Sequence, residues 1–190
     1  MRKQIGLVLF IATLFCSCHQ QEQEVVSQMR VKIGDPQLHL ANGNLFYRDT
    51  LFNGQLVAYW KDSICKLSQE YEEGRQAGSE LSFYENGKPE TERWFTKGEK
   101  DSVHRGWWAN GKLRFEYHFK KGLYNGPFRE WYESGGLLQE LVYENGNEVS
   151  GKGWRENGKP YMNFVVKNGR RYGLVNANLC FSQVAEKQGK

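Results

Sequence analysis

The stretch that decides the fold is residues 107–122, which read WWANGKLRFEYHFKKG. An Asn-Gly pair at positions 110 and 111 follows two tryptophans, and a further glycine closes the stretch at position 122. Between the glycines, Leu113, Phe115, Tyr117 and Phe119 alternate with Arg114, Glu116, His118 and Lys120. Strict alternation over eight residues is typical of a β-strand with one packed and one solvated face. Asn-Gly is the strongest short signal for a two-residue hairpin turn, which needs positive φ at both central residues.

Two sets of turn positions repeat along the chain. The first set is spaced by 24, 24, 24 and 23 residues and consists of Gly74, Gly98, Gly122, Gly146 and Gly169. The second set stands eleven residues before each of these and consists of Ser63, Gly87, Gly111, Gly135 and Gly158. Each unit of about 24 residues therefore reads as strand, turn, strand, turn. This pattern predicts an all-β fold of tandem β-hairpins.

An aromatic pair precedes each turn of the second set. Four residues ahead stand Tyr59, Phe83, Trp107, Trp131 and Trp154, and three ahead stand Trp60, Tyr84, Trp108 and Tyr132, before Arg155 ends the series. Neighbouring strand residues point to opposite faces, so we predict one aromatic row on each side of the sheet. We call the row of Trp60, Tyr84, Trp108 and Tyr132 the aromatic series. It is a candidate binding face, because exposed aromatic rows mark interaction surfaces; the alternative is that its rings only pack the sheet.

Units such as residues 78–88, GSELSFYENGK, and residues 126–136, GPFREWYESGG, resemble variant MORN repeats. They are similar in particular to the bacterial group called YwqK-family antitoxins. The resemblance covers residues 46–174 and rests on the aromatic pair, Asn-Gly and Tyr-x-x-Gly recurring in phase. It implies an elongated single-layer antiparallel meander of about five repeats, acting as a non-catalytic membrane-associated or protein-binding scaffold. The sequence departs from the pattern at Ser63 and at Ser102, where neighbouring units have glycine.

The N-terminus carries a targeting pattern. Arg2 and Lys3 precede an apolar run over residues 5–15, which is too short to span a bilayer as a helix and is typical of a secretory signal. The run ends in LFCSC, which resembles a bacterial lipobox with the small residue Ser17 before Cys18. We therefore expect a signal peptide over residues 1–17 and lipidation of Cys18, with an ordinary cleaved signal as the alternative. His19 in place of Asp favours the outer membrane, on the same resemblance.

The remaining sequence divides into three segments. Residues 18–37 are polar and acidic at their start and are expected to form a flexible tether, residues 38–175 form the repeat array, and residues 176–190 form a C-terminal tail. Within the array, the partial unit over residues 38–54 is expected to cap its start. In the tail, the apolar cluster over residues 179–181 is expected to cover the open edge of the last strand.

Cys65 and Cys180 remain after the signal region, and the repeat geometry bears on whether they pair. About eight strands separate them, which is roughly 40 Å at about 4.8 Å per strand. A disulfide requires Cα atoms within about 7 Å. We therefore expect the two cysteines not to pair within one chain.

Several function classes lack support in the sequence. The 26 basic and 22 acidic residues leave 24 − 22 = +2 once Arg2 and Lys3 are removed, too weak a field for nucleic acid. None of the four histidines, His19, His39, His104 and His118, stands at metal-ligand spacing, and the last two are expected to be solvated strand residues. Nucleophile-elbow, P-loop and Rossmann motifs are absent. We therefore predict no enzyme, no cofactor and no metal.

The favoured hypothesis is a lipid-anchored, non-catalytic scaffold that mediates protein–protein interaction at the bacterial cell envelope. The membrane would hold it through its N-terminal lipid, on the periplasmic or surface side, and its main partner would be an envelope protein. One alternative is a module that binds peptidoglycan or another glycan. Another is an envelope antitoxin or immunity-type protein, whose partner would be a toxin in the same compartment.

Overall fold

The structure, a computed structural model, describes residues 29–61 and 64–175. Within this range the chain forms fifteen β-strands and no α-helix. The strands are β1 (Arg30–Lys32), β2 (Leu38–Ala41), β3 (Asn44–Tyr47), β4 (Thr50–Leu51), β5 (Gly54–Tyr59), β6 (Cys65–Glu72), β7 (Arg75–Phe83), β8 (Pro89–Thr96), β9 (Glu99–Trp107), β10 (Leu113–Lys120), β11 (Leu123–Trp131), β12 (Leu137–Glu144), β13 (Asn147–Trp154), β14 (Pro160–Lys167) and β15 (Arg170–Leu174). The expected signal peptide, the expected lipidation site Cys18, Cys180 and the 179–181 cluster lie outside the described residues.

Twelve strands form one unclosed sheet in the order β1-β5-β6-β7-β8-β9-β10-β11-β12-β13-β14-β15. From β5 onward every neighbouring pair is antiparallel and consecutive in sequence. The predicted all-β antiparallel meander is therefore confirmed. The exception is β1, which pairs parallel to β5. A second sheet holds β2, β3 and β4.

The start of the folded region differs from the expected tether. Residues 30–32 lie within the segment assigned to it, yet they form β1 beside β5. Val31 is only 4% exposed and packs with Phe52 and Leu56. Burial of one branched side chain and a parallel strand pairing explain why residues 29–37 belong to the folded part. The alternation of Val31 and Ile33 with Lys32 was the sequence signal for this strand.

The segment over residues 38–54 lies against the first complete unit. Phe52 is buried, and Leu38, Leu45 and Tyr47 pack around its cluster. The Leu45 amide donates to the Gly74 carbonyl over 2.7 Å, and the Gly74 amide donates to the Phe52 carbonyl over 2.9 Å. The small sheet is thus fastened to the turn that follows β6.

Glycines of the first set lie in two-residue turns between hairpin strands. Each of these glycines and the residue before it has positive φ, as in Lys97 (52°) and Gly98 (83°) or Asn145 (49°) and Gly146 (81°). Positive φ at both positions defines the type I′ turn, whose twist matches that of paired strands. Only two of the five turns use Asn-Gly, at Gly146 and Gly169.

The Asn-Gly pairs of the second set form a different turn from the one expected. At residues 84–88 the Tyr84 amide donates to the Lys88 carbonyl and the Gly87 amide donates to the Tyr84 carbonyl, both over 2.9 Å. Gly87 has positive φ whereas Asn86 does not, so this is a three-residue loop with a left-handed glycine. Asn86 instead accepts a 3.0 Å hydrogen bond from the Lys88 amide through Oδ1. The expectation of positive φ at both residues was wrong here because the asparagine serves as a side-chain acceptor.

The first strand of each hairpin carries a recurring bulge. It lies at Gly78 in β7, Ser102 in β9 and Gly126 in β11, all with positive φ, and the strand registers shift beside each of them. Ser102 has φ of 58°, a conformation that costs a non-glycine residue about 1–2 kcal/mol. The departure seen in the sequence is therefore a site of backbone strain.

We predict that Ser102→Gly raises the free energy of unfolding by about 0.5–1 kcal/mol, because relief of left-handed strain exceeds the entropy cost of glycine. Ser150 occupies the equivalent position of a later unit without positive φ, so Ser150→Gly should lower stability by a similar amount. Urea unfolding of the two variants checks this. Equal shifts in the same direction would contradict the assignment of strain to Ser102.

Candidate functional site

One face of the sheet carries a row of large side chains across neighbouring strands. The strand registers place His104 opposite Tyr117, Tyr117 opposite Phe128, and Phe128 opposite Leu141. The Tyr117 and Phe128 rings stack with centroids 4.0 Å apart, and Phe115 stacks on Tyr117 at 4.5 Å. We call this side the packed face. The rings of neighbouring strands shield each other from solvent, because a one-layer sheet has no second layer to cover them.

The opposite side of the same strands carries alternating charges. The register aligns Glu92, Arg105, Glu116, Arg129, Glu140 and Lys152 in one row. Glu116 accepts hydrogen bonds from Arg105 over 2.9 Å and from Arg129 over 3.4 Å. Arg129 also donates to Glu140 over 2.5 Å, and this bond raises the pKa of Arg129. Because each charge has opposite-charge neighbours, this row satisfies itself and supports the strand register.

A groove of about 620 Å³ opens on the packed face near the middle of the array. It is lined by Arg93, Lys100, His104, Trp108, Arg114, Phe115, Tyr117, Phe119, Tyr124, Glu130, Trp131 and Leu138. We call this the aromatic groove. Its residues come from β8 through β12, so no single unit of the repeat contains it.

The aromatic series makes hydrogen bonds between successive units. Each side chain donates from its ring nitrogen or hydroxyl to a backbone carbonyl in the next unit. The bonds are Trp60 Nε1 to Phe83 (2.8 Å), Tyr84 Oη to Trp107 (2.7 Å), Trp108 Nε1 to Trp131 (3.2 Å) and Tyr132 Oη to Trp154 (3.1 Å). All four rings are half-buried. The structure therefore gives each of the four residues a structural role.

Of the aromatic series, Trp108 lines the aromatic groove. The predicted binding face of Trp60, Tyr84, Trp108 and Tyr132 thus meets the groove at one position. The ring of Trp108 lies beside the Arg114 guanidinium, whose carbon is 5.5 Å from the ring centroid. That the aromatic series forms a binding face stays a prediction.

One lining residue, Arg114, stands at an irregular position, and sequence alternation assigns its side chain to the wrong face of the sheet. Arg114 lies in a register shift between the pairs Leu113–Trp107 and Phe115–Gly106. A bulge turns its side chain toward the same groove as Phe115. Gly106 explains the room for that ring, since a Cβ there would lie 2.2 Å from Phe115.

Glu130 is the carboxylate of the groove, and its oxygens are already engaged. Oε1 accepts from the Tyr117 hydroxyl over 2.5 Å, and Oε2 accepts from the Gln139 amide over 2.7 Å. Burial together with this carboxylate raises the pKa of Tyr117 far above its ordinary value. Tyr117 therefore stays neutral and donates a hydrogen bond to Glu130.

Lys100 and Arg114 have no carboxylate partner among residues 29–61 and 64–175. Lys100 Nζ lies 5.2 Å from the Phe119 ring centroid, and the Arg114 guanidinium lies 5.2 Å from that of Phe115. Arg93 differs, because it donates to the buried Glu80 over 2.9 Å. Hydrogen bonds from Gln69, Gln76 and Arg93 lower the pKa of Glu80 despite its burial.

His104 is buried rather than solvated, contrary to the sequence expectation. It is 2% exposed, its Nε2 lies 2.8 Å from the Trp94 carbonyl, and its ring lies between Phe95 and Phe119 at 5.5 and 4.5 Å. The phase of the repeat places it 24 residues before Phe128, which is the signal that strand alternation alone missed. Burial lowers the pKa of the imidazole.

Comparison with known proteins supports the repeat interpretation. Three segments match the MORN repeat variant, at residues 76–95, 100–121 and 124–145. These segments supply β7 through β12, apart from a few terminal residues, and hold all the residues that line the aromatic groove. They are similar to a family of repeat scaffolds. A comparison with curated proteins finds no match.

Two negative findings apply to the described part of the chain. No group of three or more His, Cys, Asp or Glu side chains there is placed to hold a metal ion. No helix there has the length and apolarity needed to cross a membrane.

We predict a loss of stability as the pH falls below about 6.5 that depends on His104. The unfolded imidazole takes up a proton near its ordinary value of 6.5, whereas the buried one does so only at lower pH. The unfolded chain then binds more protons, so the free energy of unfolding falls with pH in this window. His104→Gln, whose amide can still donate to the Trp94 carbonyl, should flatten the profile between pH 6.5 and 5 measured by urea unfolding.

His118→Gln is the matched control, since His118 lies on the charged side of β10 and is half-exposed. This variant should keep the wild-type decline. If His104→Gln keeps it as well, the buried imidazole is not the group responsible.

Proposed function

We propose that the protein is a lipid-anchored repeat scaffold that binds another envelope protein through the aromatic groove. The observation that carries the proposal is the groove itself, where aromatic rings from β9 to β11 and cations without a carboxylate partner meet on one open face. Clusters of aromatic and arginine side chains dominate the energy of protein interfaces.

The proposed lipid anchor at Cys18 rests on the lipobox-like sequence. Labelled palmitate should be incorporated into the wild-type chain and not into the variant Cys18→Ser.

The arrangement of the repeats favours a binding function over a catalytic one. Each unit contacts its neighbours through strand pairing and cross-unit hydrogen bonds, and the side chains of the charged row satisfy each other. Arrays of this kind present extended surfaces whose shape follows from unit-to-unit geometry. The aromatic groove is the part of the packed face where several units contribute rings to one concave surface.

Trp108→Ala and Trp60→Ala form a matched pair that tests the proposal. Both remove an indole that donates to the next unit and has a cation near its ring, but Trp108 lines the aromatic groove. In cells, chemical crosslinking of the intact lipoprotein should recover a defined envelope partner. Trp108→Ala should reduce that recovery about tenfold, while Trp60→Ala retains it, since each 1.4 kcal/mol of lost contact is a factor of ten.

Folded protein must be shown for both variants by circular dichroism before recovery is compared. Equal recovery by the two variants would refute the assignment of binding to the groove. Sedimentation with purified cell wall separates the rival function, because a glycan-binding module would pellet with the wall and a protein scaffold would stay in the supernatant.

A further inference from the structure

The aromatic groove carries more cationic than anionic side chains, and this imbalance selects among partners. Its cations exceed its carboxylates, since Arg93, Lys100 and Arg114 face a single Glu130. Arg93 is paired with Glu80, and Glu130 accepts from Tyr117 and Gln139. The remaining charges are those of Lys100 and Arg114, which lie over rings rather than beside acids. A ligand with carboxylates would complement them.

The lining argues against a sugar as the ligand. The described residues that form it include no Asn, Gln, Ser, Thr or Asp side chain. Its neutral hydroxyls are those of Tyr117 and Tyr124, and Tyr117 already donates to Glu130. A neutral sugar could accept hydrogen bonds from Lys100 and Arg114, but it would leave both cations without an opposite charge. A ligand that carries carboxylates supplies that charge.

The groove lies on the face of the sheet and not at its edge. The backbone groups of β9, β10 and β11 are paired with strands on both sides. A peptide therefore cannot add a strand here, and its recognition must come from side chains alone. Rings and two cations are the groups available to it.

We propose that the aromatic groove binds a protein segment in which acidic residues flank an aromatic side chain. The aromatic ring packs among Phe115, Tyr117 and Phe119, and the carboxylates pair with Lys100 and Arg114. This inference rests on the proposed function and specifies the chemistry of its partner. Desolvated pairs between carboxylates and cations, together with a buried ring, supply specificity as well as affinity.

The positions of the two cations set the length of that segment. Lys100 lies at the start of β9, and Arg114 lies beside Gly106, six residues further along the same strand direction. At about 3.3 Å per residue this is roughly 15–20 Å, allowing for the bulge at Ser102. An extended segment spans that distance when its acids stand about five or six positions apart.

Selection from a phage-displayed random dodecapeptide library on the full chain tests the proposal. Selected peptides should be enriched in Asp or Glu on both sides of an aromatic residue. Their recovery on the double variant Lys100→Glu, Arg114→Glu should fall about tenfold or more, because attraction becomes repulsion. The milder Lys100→Gln, Arg114→Gln should show a smaller fall if the reversed pair proves unstable.

Lys159→Glu, Lys167→Glu is the matched control, since both lysines are exposed and neither lines the groove. It carries the same change in net charge and should recover the peptides as the wild type does. Enrichment of neutral or basic sequences, or equal recovery on the charge-reversed and control variants, would overturn the proposal.

Two further arms separate other anionic ligands. Wild-type protein is sedimented with phosphatidylglycerol vesicles, with phosphatidylcholine vesicles as reference, and passed over immobilised polygalacturonate. One result would overturn the acidic-segment proposal in favour of a lipid or a glycan. In that result, the wild type binds one of the anionic probes, Lys100→Glu, Arg114→Glu does not, and the selected peptides are not enriched in acidic residues. If the charge-reversed protein still crosslinks to the wild-type partner, the scaffold function stands and only the acidic-segment inference fails.

Discussion

The structure depends on hydrogen bonds that join each repeat to the next at both ends of its strands. At one end, the ring nitrogen or hydroxyl of the aromatic series donates to a carbonyl 22 or 23 residues ahead. At the other, the amide of a turn glycine donates to a carbonyl 22 residues back, as from Gly98 to Gln76 and from Gly122 to Lys100. A one-layer sheet has no second layer to hold its register, so these bonds fix how the units align.

A fixed register determines the chemistry of both faces. One face places Arg105, Glu116 and Arg129 side by side, where opposite charges stabilise each other. The other brings rings from β9 to β11, with Arg93 of β8 and Leu138 of β12, into a groove that no single unit could form. A slip by one residue would exchange the two faces and destroy both arrangements. The candidate site is therefore a product of the repeat and not of any one motif.

Much of the fold was predictable from the sequence because glycine and aromatic positions recur with one period. The turn type at Asn86-Gly87 was not, since dipeptide preference cannot distinguish a two-residue turn from a three-residue loop with a left-handed glycine. The site was predictable only in part. Trp108 was found from its phase, whereas the bulges that direct Arg114 into the groove and the burial of His104 depend on cross-strand register. Likewise, the packing of Val31 with Phe52 and Leu56, which supports β1, joins parts of the chain more than 20 residues apart.

The most direct test of this account removes a single hydroxyl from a cross-unit bond. Tyr84→Phe loses only the 2.7 Å bond to the Trp107 carbonyl, and Tyr59→Phe is the control because no hydrogen bond of its hydroxyl occurs among the described residues. Amide hydrogen exchange and urea unfolding should show faster exchange in β7 to β10 and a loss of about 1 kcal/mol for Tyr84→Phe alone. Unchanged exchange and stability in Tyr84→Phe, or equal losses in both variants, would contradict it.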